Sequence, residues 1–323
     1  MDVKREQVIE RVDPETHPGG TPLAKAPEQD LGHELIPKER YTSTEFMQKE
    51  WDHIWSKVWL LGCREDQIPK PGDYIATDIG KESVLLVRQH DGGIKAFHNV
   101  CMHRGNKLAD EGAGSVGRFV CGYHGWAYAI DGYFDDIPDL ATFPQGAPPC
   151  GGLAELPCDT RWSFVWFSLN TEVESFDDYI GELAGHFEPY HFERMAMTRW
   201  VTAEWSCNWK AAVDAFAEAY HTQATHPQLL WYLDDLDIQI DLYDKHSRYL
   251  IAFGVLSPRI DSAPEIPPPL KALLTNAGLD PASYEGPVNG IRRAVQVQMR
   301  ENQAELGKDY SDLHDDQLTD DYN

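Results

Sequence analysis

Cysteine and histidine alternate twice within a short stretch of this chain, as Cys101-Met102-His103 and as Cys121-Gly122-Tyr123-His124. Each pair carries one soft thiolate and one imidazole, so bringing the pairs together presents two sulfur and two nitrogen donors to a metal. Zinc accepts the same donors, but zinc ribbons and fingers place two Cys, or two His, side by side in sequence. Here they alternate, and Gly105, Gly122 and Gly125 flank them. Glycines let loop backbone approach a ligand closely, so that amide N–H groups reach sulfur. The pattern is that of a [2Fe–2S] cluster in which imidazoles replace thiolates on one of the two irons. Neutral imidazoles leave their iron easier to reduce, which makes the expected site a one-electron relay.

The rest of the composition is compatible with a globular protein of two domains. The chain has 323 residues, 42% hydrophobic and 25% charged, enough for more than one buried core. No apolar run approaches the length of a membrane span, and Met1-Asp2-Val3-Lys4-Arg5-Glu6 lacks the hydrophobic stretch of a secretory signal. Cys63, Cys150, Cys158 and Cys207 remain once the cluster is provided for. They form no disulfide framework and read as idle thiols in a reducing compartment, so a cytoplasmic location is expected. A net charge of −25 argues against nucleic acid and against an anionic membrane surface as partners.

Along the chain, residues 1–40 are polar and rich in Pro and Gly, which predicts an extended arm, disordered or wrapped on another subunit. Residues 44–59 read as an amphipathic helix, because Phe46, Trp51, Ile54, Trp55 and Val58 recur at helical spacing after Thr44, a candidate N-cap. The Trp residues of this helix read as core. Short strands follow: Ser83–Val87, Lys95–Phe97, Arg118–Val120 and Trp162–Leu169, with Asp91-Gly92-Gly93 and Asp131-Gly132 as turns. The two Cys–His pairs then sit on loops at hairpin tips of a small antiparallel domain. Further strands are expected at Thr198–Trp205, at Asp237–Tyr243 through alternation of Ile238, Ile240 and Leu242, and at Tyr249–Val255, with a helix from Ile291 to Ala304.

A second constellation lies between Asn208 and Pro227. Asn208 is a candidate N-cap, and Ala211, Ala212, Ala215, Ala217 and Ala219 favour a helix that would place Asp214, Glu218 and His221 on one face. Pro227 biases His226 towards extended backbone, so the helix should end just before it and let His226 fold back towards His221. Two imidazoles beside acidic groups suit a mononuclear Fe(II) of the two-His-one-carboxylate type. Asp214 reads as an ordinary helix charge. A rival pattern exists, because Glu218-Ala219-Tyr220-His221 and Glu188-Pro189-Tyr190-His191 both match the Glu-x-x-His of di-iron bundles. The strand content and Pro189 argue against a four-helix bundle.

Together these residues resemble Rieske non-haem iron oxygenases, specifically the large (α) subunit of aromatic-ring-hydroxylating dioxygenases, from about Phe46 to Pro227. The resemblance rests on Cys101-Met102-His103-Arg104-Gly105, Cys121-Gly122-Tyr123-His124-Gly125-Trp126, Asn208-Trp209-Lys210, Glu218-Ala219-Tyr220-His221 and His226-Pro227. It implies an α+β fold in which an all-β Rieske [2Fe–2S] domain is inserted into a helix-grip (START/Bet v 1-like) catalytic domain. The expected division is an arm over 1–40, a Rieske domain with its leading helix over 41–170, and an incomplete mononuclear-iron domain over 171–323. By position, Cys101 and Cys121 would bind one cluster iron and His103 and His124 the other. His221 and His226 would bind the catalytic iron. Glu218 takes the place of the acid that bridges the two centres, more often Asp in the family.

The same resemblance implies a terminal oxygenase component. Electrons would come from NAD(P)H through a reductase, in some members by way of a ferredoxin. The assembly would be a head-to-tail homotrimer, with or without a small β subunit, and the substrates O₂ and an aromatic or other apolar molecule. One departure stands out. The family's third iron ligand is an Asp well downstream of the His pair, and none of Asp309, Asp312, Asp315, Asp316, Asp320 or Asp321 stands in a recognisable ligand context. The expectation is that the chain is truncated at its C-terminus. The alternative from another class is an electron-transfer or regulatory protein that keeps the cluster and has no working mononuclear iron.

Overall fold

Val84-Leu85-Leu86-Val87 is apolar at successive positions because both faces of its strand are covered. The computed structural model describes residues 26–27, 29–310, 313–319 and 321–322. In it, this segment is the middle of a five-stranded antiparallel sheet. The spatial order is β5 (Gly112–Ser115), β2 (Asp73–Ile79), β3 (Glu82–Arg88), β4 (Ile94–His98) and β9 (Glu155–Leu156). With side chains alternating along the strand, Leu85 and Val87 enter one core, beside Phe97, Phe119, Trp126 and Tyr128. Val84 and Leu86 enter another, beside Leu60, Val165 and Phe167. Each such side chain taken from water contributes about 1.5–3 kcal/mol, so β3 anchors both cores at once.

Two smaller antiparallel sheets complete these cores. β1 (Trp59–Arg64), β11 (Phe164–Ser168) and β10 (Cys158–Arg161) supply the wall that carries Leu60, Cys63, Val165 and Phe167. β6 (Arg118–Val120), β7 (Ala127–Ala129) and β8 (Phe134–Asp136) supply Phe119, Tyr128 and Phe134 to the first core. The leading helix α1 (Thr44–Glu50) is capped one residue earlier than expected, by the Ser43 hydroxyl accepting from the Phe46 amide. It widens into a π-turn at Trp51–Trp55 and stops there. Trp59 instead opens β1, buried edge-on against Phe176 at 5.6 Å, with Nε1 donating to the Glu174 carbonyl.

The strands above belong to one compact unit, Lys38–Tyr179 with His191–Ala203. A second unit flanks it in sequence, and its described residues are 26–37, 180–190 and 204–322 without the undescribed positions. Most of the arm expected over 1–40 lies outside the described residues. In the second unit, α2 (Trp209–Phe216) is followed by the short α3 (Thr222–Thr225). Further on, α4 (Pro268–Ala277) packs on α5 (Ile291–Glu305) through Leu270, Leu274, Ile291 and Val295. A three-stranded antiparallel sheet runs β12 (Gln239–Leu242), β13 (Ser247–Ile251), β14 (Asp321–Tyr322).

Three local expectations are corrected here. The alternation of β12 is inverted: Gln239 and Asp241 are buried and Ile240 is exposed. The reason is a cross-strand ion pair, in which Arg248 Nη2 and Nε donate to Asp241 at 2.6 and 2.8 Å with both side chains almost fully buried. A one-residue change of face exchanges every side chain, and here the buried pair decides it. Thr198–Trp205 forms no strand among the described residues; Trp200, Val201 and Trp205 are exposed and have no ladder to join. Finally, the alanine-rich helix ends at Phe216 rather than continuing through His221. Among the described residues no helix is long and apolar enough to cross a membrane.

Candidate metal centres

The two Cys–His segments fold into loops with the same backbone wiring. Cys101 accepts from the Gly105 amide at 2.9 Å, and Cys121 accepts from the Gly125 amide at 3.0 Å. The Cys101 amide donates to the Asn106 carbonyl and the Cys121 amide to the Trp126 carbonyl, both at 2.8 Å. Closing each loop needs left-handed backbone four residues after the cysteine, and Gly105 and Gly125 provide it with φ of +75° and +76°. The first loop leaves β4 and the second joins β6 to β7.

The donors are sorted by element. Cys101 and Cys121 are buried and belong to the same core. His103 and His124 are partly exposed and exposed, with ring centroids 4.6 Å apart. A sulfur pair on the inside and a nitrogen pair on the outside is the arrangement a cluster with one thiolate-bound and one imidazole-bound iron requires. The protonation states suit it too. Burial pushes the Cys121 thiol up, but the amides of Tyr123 and His124, the Cys101 thiol and Asn106 outweigh burial and bring it below the ordinary thiol value. His103 is held below its ordinary value by desolvation and by the neighbouring His124 and Arg104. Metals bind thiolate and neutral imidazole, so the lowered values of Cys121 and His103 suit such a group.

The roles of two aromatic residues here are not read from the sequence, although Trp126 closes the second motif. Trp126 stacks on His103 at 4.7 Å with only 9° between ring planes, and is itself braced edge-on by Phe134 and Phe143. Tyr128, fully buried on β7, brings its hydroxyl to 3.2 Å from Cys101 Sγ and 2.9 Å from the Met102 amide. Their position after His124 was the available signal, but an aromatic residue in a short strand reads as core packing alone.

In the second unit, the Asn208 side chain caps α2 by accepting from the Lys210 amide, as expected. After Phe216 the chain leaves the helix, so Asp214 stays exposed on α2 while Glu218 and His221 lie beyond its end. Glu218 acts at once on ring and backbone of His221: Oε1 bonds Nδ1, and Oε2 accepts from the His221 amide at 3.1 Å. Burial raises the Glu218 pKa, but the bonds from the His221 ring and amide outweigh it and hold the carboxyl below the usual Glu value. His221 then precedes α3, and His226 follows it with extended φ of −129° ahead of Pro227. The two imidazoles come to 5.3 Å between centroids.

With Nδ1 of His221 committed to Glu218, Nε2 is the free nitrogen to offer a metal. Two neutral imidazoles suit ferrous iron, and the pair fits that role in part. Among the described residues no set of three His, Cys, Asp or Glu side chains is poised around one ion, so no carboxylate is assigned as a third ligand. The second Glu-x-x-His pattern is not a helical repeat, since Glu188–Tyr190 is a single 3-10 turn and His191 has φ of +51°.

Comparison with known proteins gives concordant matches. Residues 58–156 match the model of the Rieske [2Fe-2S] domain, and residues 192–267 that of the ring hydroxylating alpha subunit (catalytic domain). The glycine betaine monooxygenase oxygenase subunit of Pseudomonas aeruginosa is 32% identical over 197 residues, covering 60% of this chain and 45% of that protein. The large oxygenase component of a 2,4-dinitrotoluene dioxygenase system from Burkholderia sp. is 33% identical over 199 residues, covering 59% and 44%. The chain thus spans less than half the length of these relatives. Among solved structures, a quaternary ammonium Rieske monooxygenase has a TM-score of 0.63 at 21% identity, covering 69% of this chain and 62% of that one. A naphthalene 1,2-dioxygenase has a TM-score of 0.59 at 23% identity, covering 87% and 62%. These structural likenesses concern the fold.

Proposed function

The chain belongs to the Rieske non-haem iron oxygenases, as a relative of their large subunits, and from this premise we propose that it is the terminal oxygenase component of a multicomponent system. The observation that carries the reading is the presence of both donor sets in one chain: Cys101, Cys121, His103 and His124 in the first unit, and His221 with His226 and Glu218 in the second. When bound, the [2Fe–2S] cluster supplies one-electron storage and a mononuclear Fe(II) supplies O₂ activation.

The chain's own residues prepare both centres. Cys101 and Cys121 would hold one cluster iron, and His103 and His124 the other. Trp126 fixes the plane of the His103 ring by stacking on it. Glu218 holds the Nδ1 proton of His221 and keeps Nε2 deprotonated towards the metal. In the assembled protein Glu218 also bridges to a Rieske imidazole of a neighbouring subunit, within a homotrimer that takes electrons from a reductase, directly or through a ferredoxin, in the cytoplasm. A small aromatic or other apolar molecule is one substrate class the reading admits. The relative that acts on glycine betaine adds quaternary ammonium compounds to the candidates.

One observation favours a second reading, a cluster-bearing relay without mononuclear iron: no third donor stands beside His221 and His226 among the described residues. Iron analysis with O₂ uptake separates the two. About three irons per chain, with O₂ consumed when a reductase and aromatic or quaternary ammonium substrates are supplied, supports the oxygenase. Two irons and no O₂ uptake supports the relay.

A further inference from the structure

Helices α4 and α5 carry more apolar surface than their mutual contact covers. Ala272, Leu273 and Asn276 on α4, and Val295, Met299 and Gln303 on α5, each recur at helical spacing. Both sets line one cavity of about 670 Å³ in the second unit. Tyr232 and Phe253 form a further wall, stacked with centroids 5.4 Å apart and 19° between planes. Cross-braces fix these walls. Arg292 Nη1 donates to the Phe253 carbonyl at 2.7 Å, Asn302 Nδ2 to the Ala277 carbonyl at 2.7 Å, and Gln296 Nε2 to the Thr319 hydroxyl at 3.1 Å. Closing the cavity by sliding α5 would break these bonds.

The volume lies within the roughly 300–1,000 Å³ of small-molecule sites, and the wall has their character, apolar and aromatic with few polar groups. Among the described residues no charged side chain lines it. A carboxylate or ammonium group entering would lose its water without gaining a counter-charge, so a neutral occupant is selected. The polar groups narrow the class further. Asn302 is committed at both ends, Nδ2 to Ala277 and Oδ1 accepting from Gln298 Nε2. Gln303 Oε1, by contrast, is buried and accepts no hydrogen bond among the described residues. An acceptor left unmet is costly, and an N–H or O–H on the occupant would meet it.

We propose that this cavity binds a neutral, ring-bearing molecule with one hydrogen-bond donor, of the phenol class. The Tyr232–Phe253 pair packs on the ring, and Gln303 accepts from the donor. None of the lining residues is a candidate metal ligand, so the inference stands apart from both metal centres. It also separates the two ligand classes named above, because a zwitterion such as glycine betaine finds no charged partner in this wall.

The test is equilibrium dialysis of the cluster-loaded chain against 2-naphthol at neutral pH, read by naphthol fluorescence in the protein-free chamber. A single saturable site per chain is expected. The isosteric 2-methylnaphthalene, which lacks the donor, should bind roughly two- to tenfold more weakly, the scale of one net hydrogen bond. Glycine betaine should not displace the naphthol. Ala272→Trp and Asn276→Trp each bring an indole to the cavity from an exposed position on α4. Either should weaken binding roughly tenfold or more, the scale of overfilling a packed space, with far-UV circular dichroism unchanged. If one of them fails to fold, the other decides. Gln303→Met should equalise the affinities for naphthol and methylnaphthalene. The absence of a saturable naphthol site, binding that both tryptophans leave intact, displacement by glycine betaine, or a naphthol preference that survives Gln303→Met overturns the proposal. Cluster EPR and iron content do not depend on any of these results, so its failure is distinguishable from failure of the oxygenase reading.

Discussion

Replacing Glu218 by Gln should loosen metal at His221 and His226 by about 10–100-fold while leaving the cluster's spectrum unchanged. The carboxylate serves two donors, the Nδ1–H of His221 and its amide N–H. Glutamine offers one carbonyl oxygen, so one donor loses its acceptor and faces an NH₂ group instead. The bond to Nδ1 also ceases to be charge-assisted, which roughly halves its strength. The corresponding cost is about 1.4–2.7 kcal/mol of metal affinity. Because the Glu218 side chain is 37% exposed, solvent screening favours the lower half of that range. The assay is titration of wild-type and variant chain with Co(II) or Fe(II), with visible circular dichroism as the control on the cluster. Affinities equal within about twofold would refute the argument that Glu218 orients His221. The pH dependence has a defined sign. Glu218 is held below the usual Glu value, so its contribution is present above about pH 4.3 and is lost as pH falls through the lowered folded value.

Other consequences follow from single residues. His221→Ala should abolish mononuclear iron and leave the cluster's absorbance intact; iron content unchanged from wild type would remove His221 from the site. His103→Cys should lower the cluster potential towards that of all-cysteine clusters, and a redox titration that finds no change would mean His103 is not a ligand. Asp241→Ala removes the buried carboxylate that pairs with Arg248 and should cost about 3–5 kcal/mol in chemical denaturation; a loss below about 1 kcal/mol would contradict the burial argument. His186 is held down to about 4, by burial first and then by Arg248. Its folded value lies below its unfolded one, so stability is present above about pH 6.5 and is lost as pH falls towards 4, by roughly 1–2 kcal/mol after screening. His186→Leu should flatten that part of the stability–pH profile, and an unaltered slope would count against it.

The cluster loops were legible because their chemistry is local. Two Cys–His pairs flanked by glycines leave few foldings, and Gly105 and Gly125 mark the turns that close them. The buried β3 strand was legible for a similar reason, since a continuous apolar run of that length has both faces to hide. Where the reading went astray, a side-chain partner outweighed a pattern. Alternation groups Ile240 with Ile238 and Leu242 as one apolar face, yet the Asp241–Arg248 pair takes the buried side, and nothing in the segment alone says that Arg248 will lie opposite. The alanines from Ala211 to Ala219 favour helix, but the Glu218 carboxylate captures the His221 amide and starts a new turn. Only the end of the helical stretch, set by Pro227, was visible beforehand. Tyr128 and the stacking of Trp126 stayed hidden because the sequence does not distinguish an aromatic ring that fills a core from one that also touches Cys101 or His103.

The most direct measurement is low-temperature EPR with iron and acid-labile sulfide analysis on the purified chain after dithionite reduction. The account predicts a coloured protein with two irons and two sulfides per cluster and the rhombic signal of a mixed thiolate–imidazole [2Fe–2S] centre, lost in Cys101→Ser and Cys121→Ser. A colourless, zinc-loaded protein that stays EPR-silent on reduction would contradict it.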